Sequence, residues 1–117
     1  MRHHSNVKKF GRNQNQRVAF MRGLALNLIQ HGRIETTQTR AKAIRPFVEK
    51  LVTKARENNL SATRFLISRL GGQEELVKKL VTEIAPRYTG RNGGYTRILK
   101  LQHRKSDATP MALIEFV

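Results

Sequence analysis

Residues 33–55 read Arg33-Ile34-Glu35-Thr36-Thr37-Gln38-Thr39-Arg40-Ala41-Lys42-Ala43-Ile44-Arg45-Pro46-Phe47-Val48-Glu49-Lys50-Leu51-Val52-Thr53-Lys54-Ala55, and the period of the pattern changes in the middle. Residues 33–37 alternate in type and are rich in β-branched side chains, which predicts a short strand. From residue 38 to about 58, Ala41, Ile44, Val48, Leu51, Val52 and Ala55 recur at helical spacing, so an amphipathic helix follows at once. Its basic residues Arg40, Lys42, Arg45, Lys50, Lys54 and Arg56 fill the remaining arc. Pro46 removes a backbone donor inside the pattern and predicts a kink or a break over 42–45, with the kink favoured.

Upstream, Val18, Met21, Leu24, Ala25, Leu28 and Ile29 form one apolar stripe and predict a helix over 15–31. Asn13 or Asn15 can cap it, and Gly32 stops it. Residues 1–12 carry only Val7 and Phe10 as bulky apolar side chains after the first Met, too few to offset ordering entropy. They are expected to form a basic arm, disordered when free and ordered on a partner.

Downstream, Asn58 and Asn59 make a turn, Ser61 is expected to cap a helix over 61–70, and Gly71 and Gly72 end it. A further helix is predicted over 73–85, with Glu74 and Glu75 favourably placed in its first turn, Leu76, Val77, Leu80, Val81 and Ile84 on one face, and Pro86 closing it. Residues 94–104 and 111–117 are strand-like and joined by the polar stretch 105–110, a long hairpin. In the last strand Ala112, Ile114 and Phe116 point one way, and Met111, Leu113 and Glu115 the other. The order is α-β-α-α-α-β-β. Its economical packing is a two-layer α+β domain over 13–117, a small sheet covered by helices on one face, with the basic N-terminal arm in front.

The chain has 117 residues and a formal net charge of +15, which calls for an anionic partner. The charge is segregated. Residues 1–34 hold seven cations and no acid, residues 84–106 hold six and no acid, and six of the eight acids lie between these windows. The absence of cysteine excludes a disulfide framework, a thiolate metal site and a cysteine nucleophile. No apolar run is long enough to cross a bilayer, no single helix sets a basic face against an apolar one, and no apolar segment follows the basic start as in a secretory leader.

Catalytic groups are hard to assemble. His3 and His4 lie in the arm, His31 at a helix end and His103 among cations, without metal-binding spacing. Glu74 and Glu75 read as helix-start residues, and Glu35 as a strand acid; a basic nuclease using Glu35 is the enzymatic alternative. Gly90-Arg91-Asn92-Gly93-Gly94 lacks the Lys and Ser/Thr of a nucleotide loop and reads as a flexible turn. No enzyme activity, cofactor, metal or small-molecule substrate is expected. Phosphate binding is the positive reading, since Arg outnumbers Lys by 14 to 9 and the guanidinium fork suits phosphate oxygens. A basic arm, an Arg- and Gly-bearing loop beside Tyr88 and Tyr95, and no known DNA-reading motif favour RNA over DNA. The two tyrosines either stack on unpaired bases or pack in the core. A general DNA- or RNA-compacting protein is the alternative.

Several blocks carry a resemblance: Met1-Arg2-His3 at the start; Arg12, Arg17 and Arg22 at intervals of five; Ile34-Glu35-Thr36-Thr37 before a helix with Ala41-Lys42-Ala43 and Arg45; Ala85-Pro86-Arg87-Tyr88; Gly93-Gly94-Tyr95-Thr96-Arg97-Ile98-Leu99-Lys100; and Pro110-Met111-Ala112. In this order they resemble the family of protein seventeen of the bacterial large ribosomal subunit, across essentially the whole chain. The resemblance implies a non-enzymatic constituent of the large subunit that binds and stabilises 23S rRNA near the polypeptide exit region. It also implies neighbouring large-subunit proteins, number thirty-two among them, and a place on a bacterial-type ribosome in the cytoplasm. No membrane insertion and no obligate homo-oligomer are expected. By position, Arg2, His3, Arg12, Arg17 and Arg22 fall on the family's basic N-terminal motif. Thr36, Thr37, Lys42 and Arg45 fall on its strand-to-helix motif, and Arg87, Arg91, Tyr95 and Arg97 on its C-terminal motif. Arg40 stands where a Lys is common. In the arm, His4, Ser5, Asn6 and Val7 replace more basic or Gly-containing residues, and Gly11 and Gln16 a frequent Asn and His. Together with Lys8, Lys9 and Lys100, the matched residues and Arg40 are expected to face RNA.

Overall fold

The computed structural model describes residues 13–117. The arm expected over 1–12, with Arg2, His3, Lys8, Lys9 and Arg12, lies outside the described residues. Helix α1 (Gln14–His31) starts in a capping box in which the Asn13 side chain accepts from the Gln16 N–H at 2.9 Å and the Gln16 side chain accepts from the Asn13 N–H. It ends at Gly32, whose φ of 78° is a left-handed cap, and the chain turns directly into strand β1 (Arg33–Thr37). Thr37 closes the strand and caps helix α2 (Gln38–Ala55), its hydroxyl accepting from the Arg40 N–H at 3.2 Å. One residue therefore ends the period of two and starts the period of 3.6.

Helix α2 buries Ala41, Ile44, Val48, Leu51, Val52 and Ala55, the face read from the sequence. It is not broken at Pro46. That residue is exposed, so the ring points to water and the carbonyl that loses its donor, four residues earlier at exposed Lys42, is open to solvent. Helix α3 (Leu60–Arg69) is capped by Asn59 rather than Ser61: the Asn59 side chain accepts from the Ala62 N–H at 2.7 Å. Asn58, at a φ of 49°, makes the turn that frees Asn59 for this role. Helix α4 is shorter than expected, spanning Glu74–Lys79. A wide turn over Leu80–Ile84 follows, closed by the Ala85 N–H donating five residues back to the Leu80 carbonyl, and then a 3₁₀ turn over Ala85–Tyr88. Pro86 explains the change. In a regular helix its ring meets the carbonyl four residues earlier; widening the preceding turn relieves that clash, and Pro86 starts the new turn where no donor is needed.

Strands β2 (Thr96–Lys100) and β3 (Met111–Phe116) form the hairpin, and β1 completes an antiparallel sheet of order β1-β3-β2. Arg33 and Arg97 both lie opposite Glu115, and Ile34 and Ile98 both lie opposite Ile114. Ala112, Ile114 and Phe116 are buried against the helices, while Met111, Leu113 and Glu115 are only partly covered on the other face. The core gathers Ala25, Leu28 and Ile29 of α1, the buried face of α2, Leu66 and Leu70, Val77, Leu80 and Ile84, and the inner face of β3. Each large aliphatic side chain fully buried there contributes about 1.5–3 kcal/mol. Tyr88 and Tyr95 belong to this core, with ring centroids 5.1 Å apart and planes tilted by 54°. The architecture is the two-layer α+β arrangement read from the sequence.

Candidate nucleic-acid interface

Helix α2 and the segment leading into β2, about fifty residues apart in sequence, are joined through one carboxylate. Glu49 Oε2 accepts the Thr96 hydroxyl at 2.9 Å and the Thr96 N–H at 3.3 Å, and Oε1 accepts the Gly94 N–H at 3.3 Å. Arg45 Nε lies 3.5 Å from the same carboxylate, and its Nη2 donates to the Thr96 carbonyl at 3.3 Å. Burial alone would raise the Glu49 pKa. The hydrogen bonds from Thr96, Gly94 and Arg45 outweigh it and hold the carboxyl below its ordinary value.

A second brace lies at the C-terminal end of α2, where Arg56 caps the helix. Arg56 Nη1 donates to the Arg91 carbonyl and, at 3.0 Å, to the Tyr95 hydroxyl, which itself donates to the Arg91 carbonyl at 3.1 Å. Thr53 Oγ1 is 3.1 Å from the same hydroxyl. Burial pushes the Tyr95 phenol up, but its hydrogen bonds with Thr53 and Arg56 and the Arg56 charge bring it below the ordinary tyrosine value. At Tyr88 burial outweighs the opposing Arg87 hydrogen bond and the Arg87 and Arg91 charges, so its pKa is raised, and its hydroxyl donates to the Val117 carbonyl oxygen at 2.9 Å.

Of the residues expected to face RNA, Lys42, Arg45, Arg87, Arg91, Arg97 and Lys100 are exposed. Arg45 and Arg91 share the Glu49–Tyr95 framework. Arg97 stands on the open sheet face, paired to Glu115 at 2.6 Å. Arg17, Arg22 and Arg40 are half-buried. Arg22 Nε donates to the Arg69 carbonyl at 3.3 Å, and the Arg40 guanidinium lies 5.0 Å from the centre of the Phe20 ring. Thr36 and Tyr95 are buried and Thr37 is a helix cap, so these three shape the surface from beneath it. Tyr95 is 0% exposed and offers no face to a base.

Glu49 and Arg56 were not singled out from the sequence as site residues. The available signal was an acid and a cation on the solvent-side arc of α2, which reads as ordinary surface until β2 is placed against it. Among the described residues, no group of three or more His, Asp or Glu side chains is placed to hold a metal ion, and no helix is long and apolar enough to cross a membrane.

Comparison with known proteins finds relatives along the whole chain. The chain is 51% identical to the large ribosomal subunit protein bL17 of Hydrogenobaculum sp. (strain Y04AAS1) over 100% of its own length and 99% of that protein. It is 52% identical to the bL17 of Persephonella marina, covering 95% of it, and 48% identical to that of Neorickettsia sennetsu, covering 100%, in both cases over the whole chain. The profile of the family described as Ribosomal protein L17 matches residues 20–117, and the chain belongs to that family.

Proposed function

We propose that this chain binds and stabilises 23S rRNA of the large ribosomal subunit by phosphate neutralisation, near the polypeptide exit region and beside neighbouring proteins that include number thirty-two. As a member of its family it is a structural constituent of the large subunit, in the cytoplasm, and not an enzyme. The observation that supports the RNA reading is the disposition of charge in a chain of net +15. Exposed cations lie on α2, at Lys42 and Arg45, and over residues 87–100, at Arg87, Arg91, Arg97 and Lys100, and two acids beside them are engaged: Glu49 with Thr96, Gly94 and Arg45, and Glu115 with Arg97. Lys42, Arg87, Arg91 and Lys100 have no ion-pair partner among the described residues, so they carry net attraction for phosphate oxygens, and the guanidinium groups present the fork that matches them. The exit-region location and the neighbour are carried by the family resemblance. Residues 13–117 act as the folded RNA-binding domain, and residues 1–12 add Arg2, Lys8, Lys9 and Arg12 to the phosphate contacts.

Binding of this kind lowers the free energy of one RNA arrangement by relieving repulsion between its helices. With roughly 6–10 phosphates neutralised, affinity for RNA falls by about three to five powers of ten between 50 and 200 mM salt, on the duplex scale. Competition at physiological salt tests the reading. Preference for a folded large-subunit rRNA fragment over random duplex DNA is the expected result. Equal affinity for the two would establish a general compaction protein instead.

A further inference from the structure

A groove of about 440 Å³ opens between α2, α3 and the loop before β2, with Phe65 on one wall and Pro46, Lys50, Lys54 and Gly93 among the others. The volume lies within the roughly 300–1,000 Å³ of small-ligand pockets. Phe65 is 39% exposed. Helix α3 does not need its ring for packing, because Ala62 and Leu66 supply the buried contacts of that helix. Two cations converge on the ring from different helices. Lys54 Nζ is 5.4 Å and Arg69 Cζ 5.1 Å from its centroid. Lys50 and Arg64 add exposed charge nearby on the same two helices. Two carboxylates also border the groove, and both are engaged: Glu49 with Thr96 and Gly94, and Glu57 with Lys54 at 3.3 Å.

Lys54 and Arg69 lie over the exposed ring as cation–π partners, and single-stranded nucleic acid is held where such flexible cations swing from an aromatic face to the flanking phosphates and a base takes the face they leave. An apolar protein segment would fit the ring but would desolvate Lys50, Lys54 and Arg69 without supplying anions, at a cost. We propose that Phe65 is a stacking platform for an unpaired RNA base, with Lys50, Lys54 and Arg69 receiving the phosphates on either side of it. The inference deepens the RNA-binding reading and rests on it, and it uses helix α3, which holds none of the residues expected from the sequence to face RNA.

The chain has no tryptophan, so Phe65→Trp places a single emitter at the proposed platform. With the full chain, saturating single-stranded polyadenylate is expected to quench that emission, whereas a polyadenylate–polyuridylate duplex, whose bases are already stacked, binds through charge and leaves it unchanged. Phe65→Leu keeps an apolar side chain in α3 and is expected to weaken polyadenylate binding roughly 5- to 150-fold, with the slope of affinity against salt unaltered because no phosphate contact is removed. The circular dichroism of Phe65→Leu is compared with that of the unmodified chain to show that the fold is retained. Emission unmoved at saturation, quenching by duplex equal to that by single strand, or Phe65→Leu binding as tightly as the unmodified chain overturns the proposal. Failure of the broader reading looks different: the unmodified chain would then show no preference for large-subunit rRNA over duplex DNA, whatever Phe65→Trp reports with polyadenylate.

Discussion

Glu49 and Thr96 clamp each other from both sides of the peptide. The Thr96 hydroxyl and N–H both donate to Glu49 Oε2, and Arg45, paired with that carboxylate, donates back to the Thr96 carbonyl. In a chain with fifteen excess positive charges, this acid acts as scaffold for cations. Glu49 ties α2, which carries Arg45, to the segment before β2, which carries Arg91, and its charge offsets part of the cost of holding cations on both elements.

Glu49→Gln is therefore expected to lower stability by about 1–2 kcal/mol at neutral pH, the value of charge-assisted hydrogen bonds at a half-buried site after solvent screening. The sign with pH follows from the depressed carboxyl. Its contribution is complete above the unfolded-state value of roughly 4.3 and is lost as pH falls through the lower folded-state value. Denaturant unfolding of the two proteins across the acid range should show their stabilities converging below about pH 4. A gap that stays constant through that range would mean Glu49 acts by shape and not by charge.

The parts of this architecture legible in the sequence were those set by local chemistry. The buried face of α2 was readable because a single apolar period of 3.6 runs through it, and Thr37 was readable as a boundary because a β-branched run meets that period there. The end of α4 was not readable. Pro46 and Pro86 look alike in sequence and both are exposed, yet one sits inside a continuous helix and the other follows a widened turn, a difference that the local sequence does not carry. Charge likewise located the cations without showing which were free. Arg22 and Arg97 are equally basic on paper, but one braces a helix end and the other pairs with Glu115. Tyr95 matched a motif of RNA-facing residues, and only the placement of α2 shows its hydroxyl spent on Thr53, Arg56 and Arg91.

The cap of α3 gives a sharp stability comparison. Asn59→Ala removes the side-chain acceptor of the Ala62 N–H and is expected to cost about 1 kcal/mol, a fall of about 4 °C in Tm for a domain of this size. Ser61→Ala, at an exposed position inside the helix, is expected to leave Tm unchanged or raise it slightly, since Ala is the better helix former. Thermal unfolding by circular dichroism decides the matter; a loss for Ser61→Ala with none for Asn59→Ala would place the cap at Ser61.

Tyr95 separates a core role from an RNA-contact role. Tyr95→Phe keeps the ring against Tyr88 but leaves Arg56 and the Arg91 carbonyl without the hydroxyl, at a cost of about 1–3 kcal/mol. Because the ring has no exposed face, RNA affinity measured well below the Tm is expected to match that of the unmodified chain. Tyr95→Ala, by contrast, empties a core site and is expected to cost about 3–5 kcal/mol. Loss of RNA affinity in Tyr95→Phe with the fold intact would show that the hydroxyl acts at the interface.

Gly71 and Gly72 test how Arg22 is held. Both follow α3 with positive φ, 68° and 82°, so an Ala at either position incurs the left-handed penalty of roughly 1–2 kcal/mol. They differ in what a side chain would meet. A Cβ on Gly72 has nothing within 4 Å, whereas a Cβ on Gly71 would stand 2.9 Å from Cδ of Arg22 and 3.3 Å from its Nε, the atom that donates to the Arg69 carbonyl. Gly71→Ala therefore displaces the Arg22 side chain and breaks that brace as well. Its loss of stability in denaturant is expected to exceed that of Gly72→Ala by about 0.5–1.5 kcal/mol, the net value of one such hydrogen bond. In an Arg22→Ala background the brace is already absent, and the two glycine variants should become equal. A difference that survives there would mean that Gly71 is required by the backbone turn and not by Arg22.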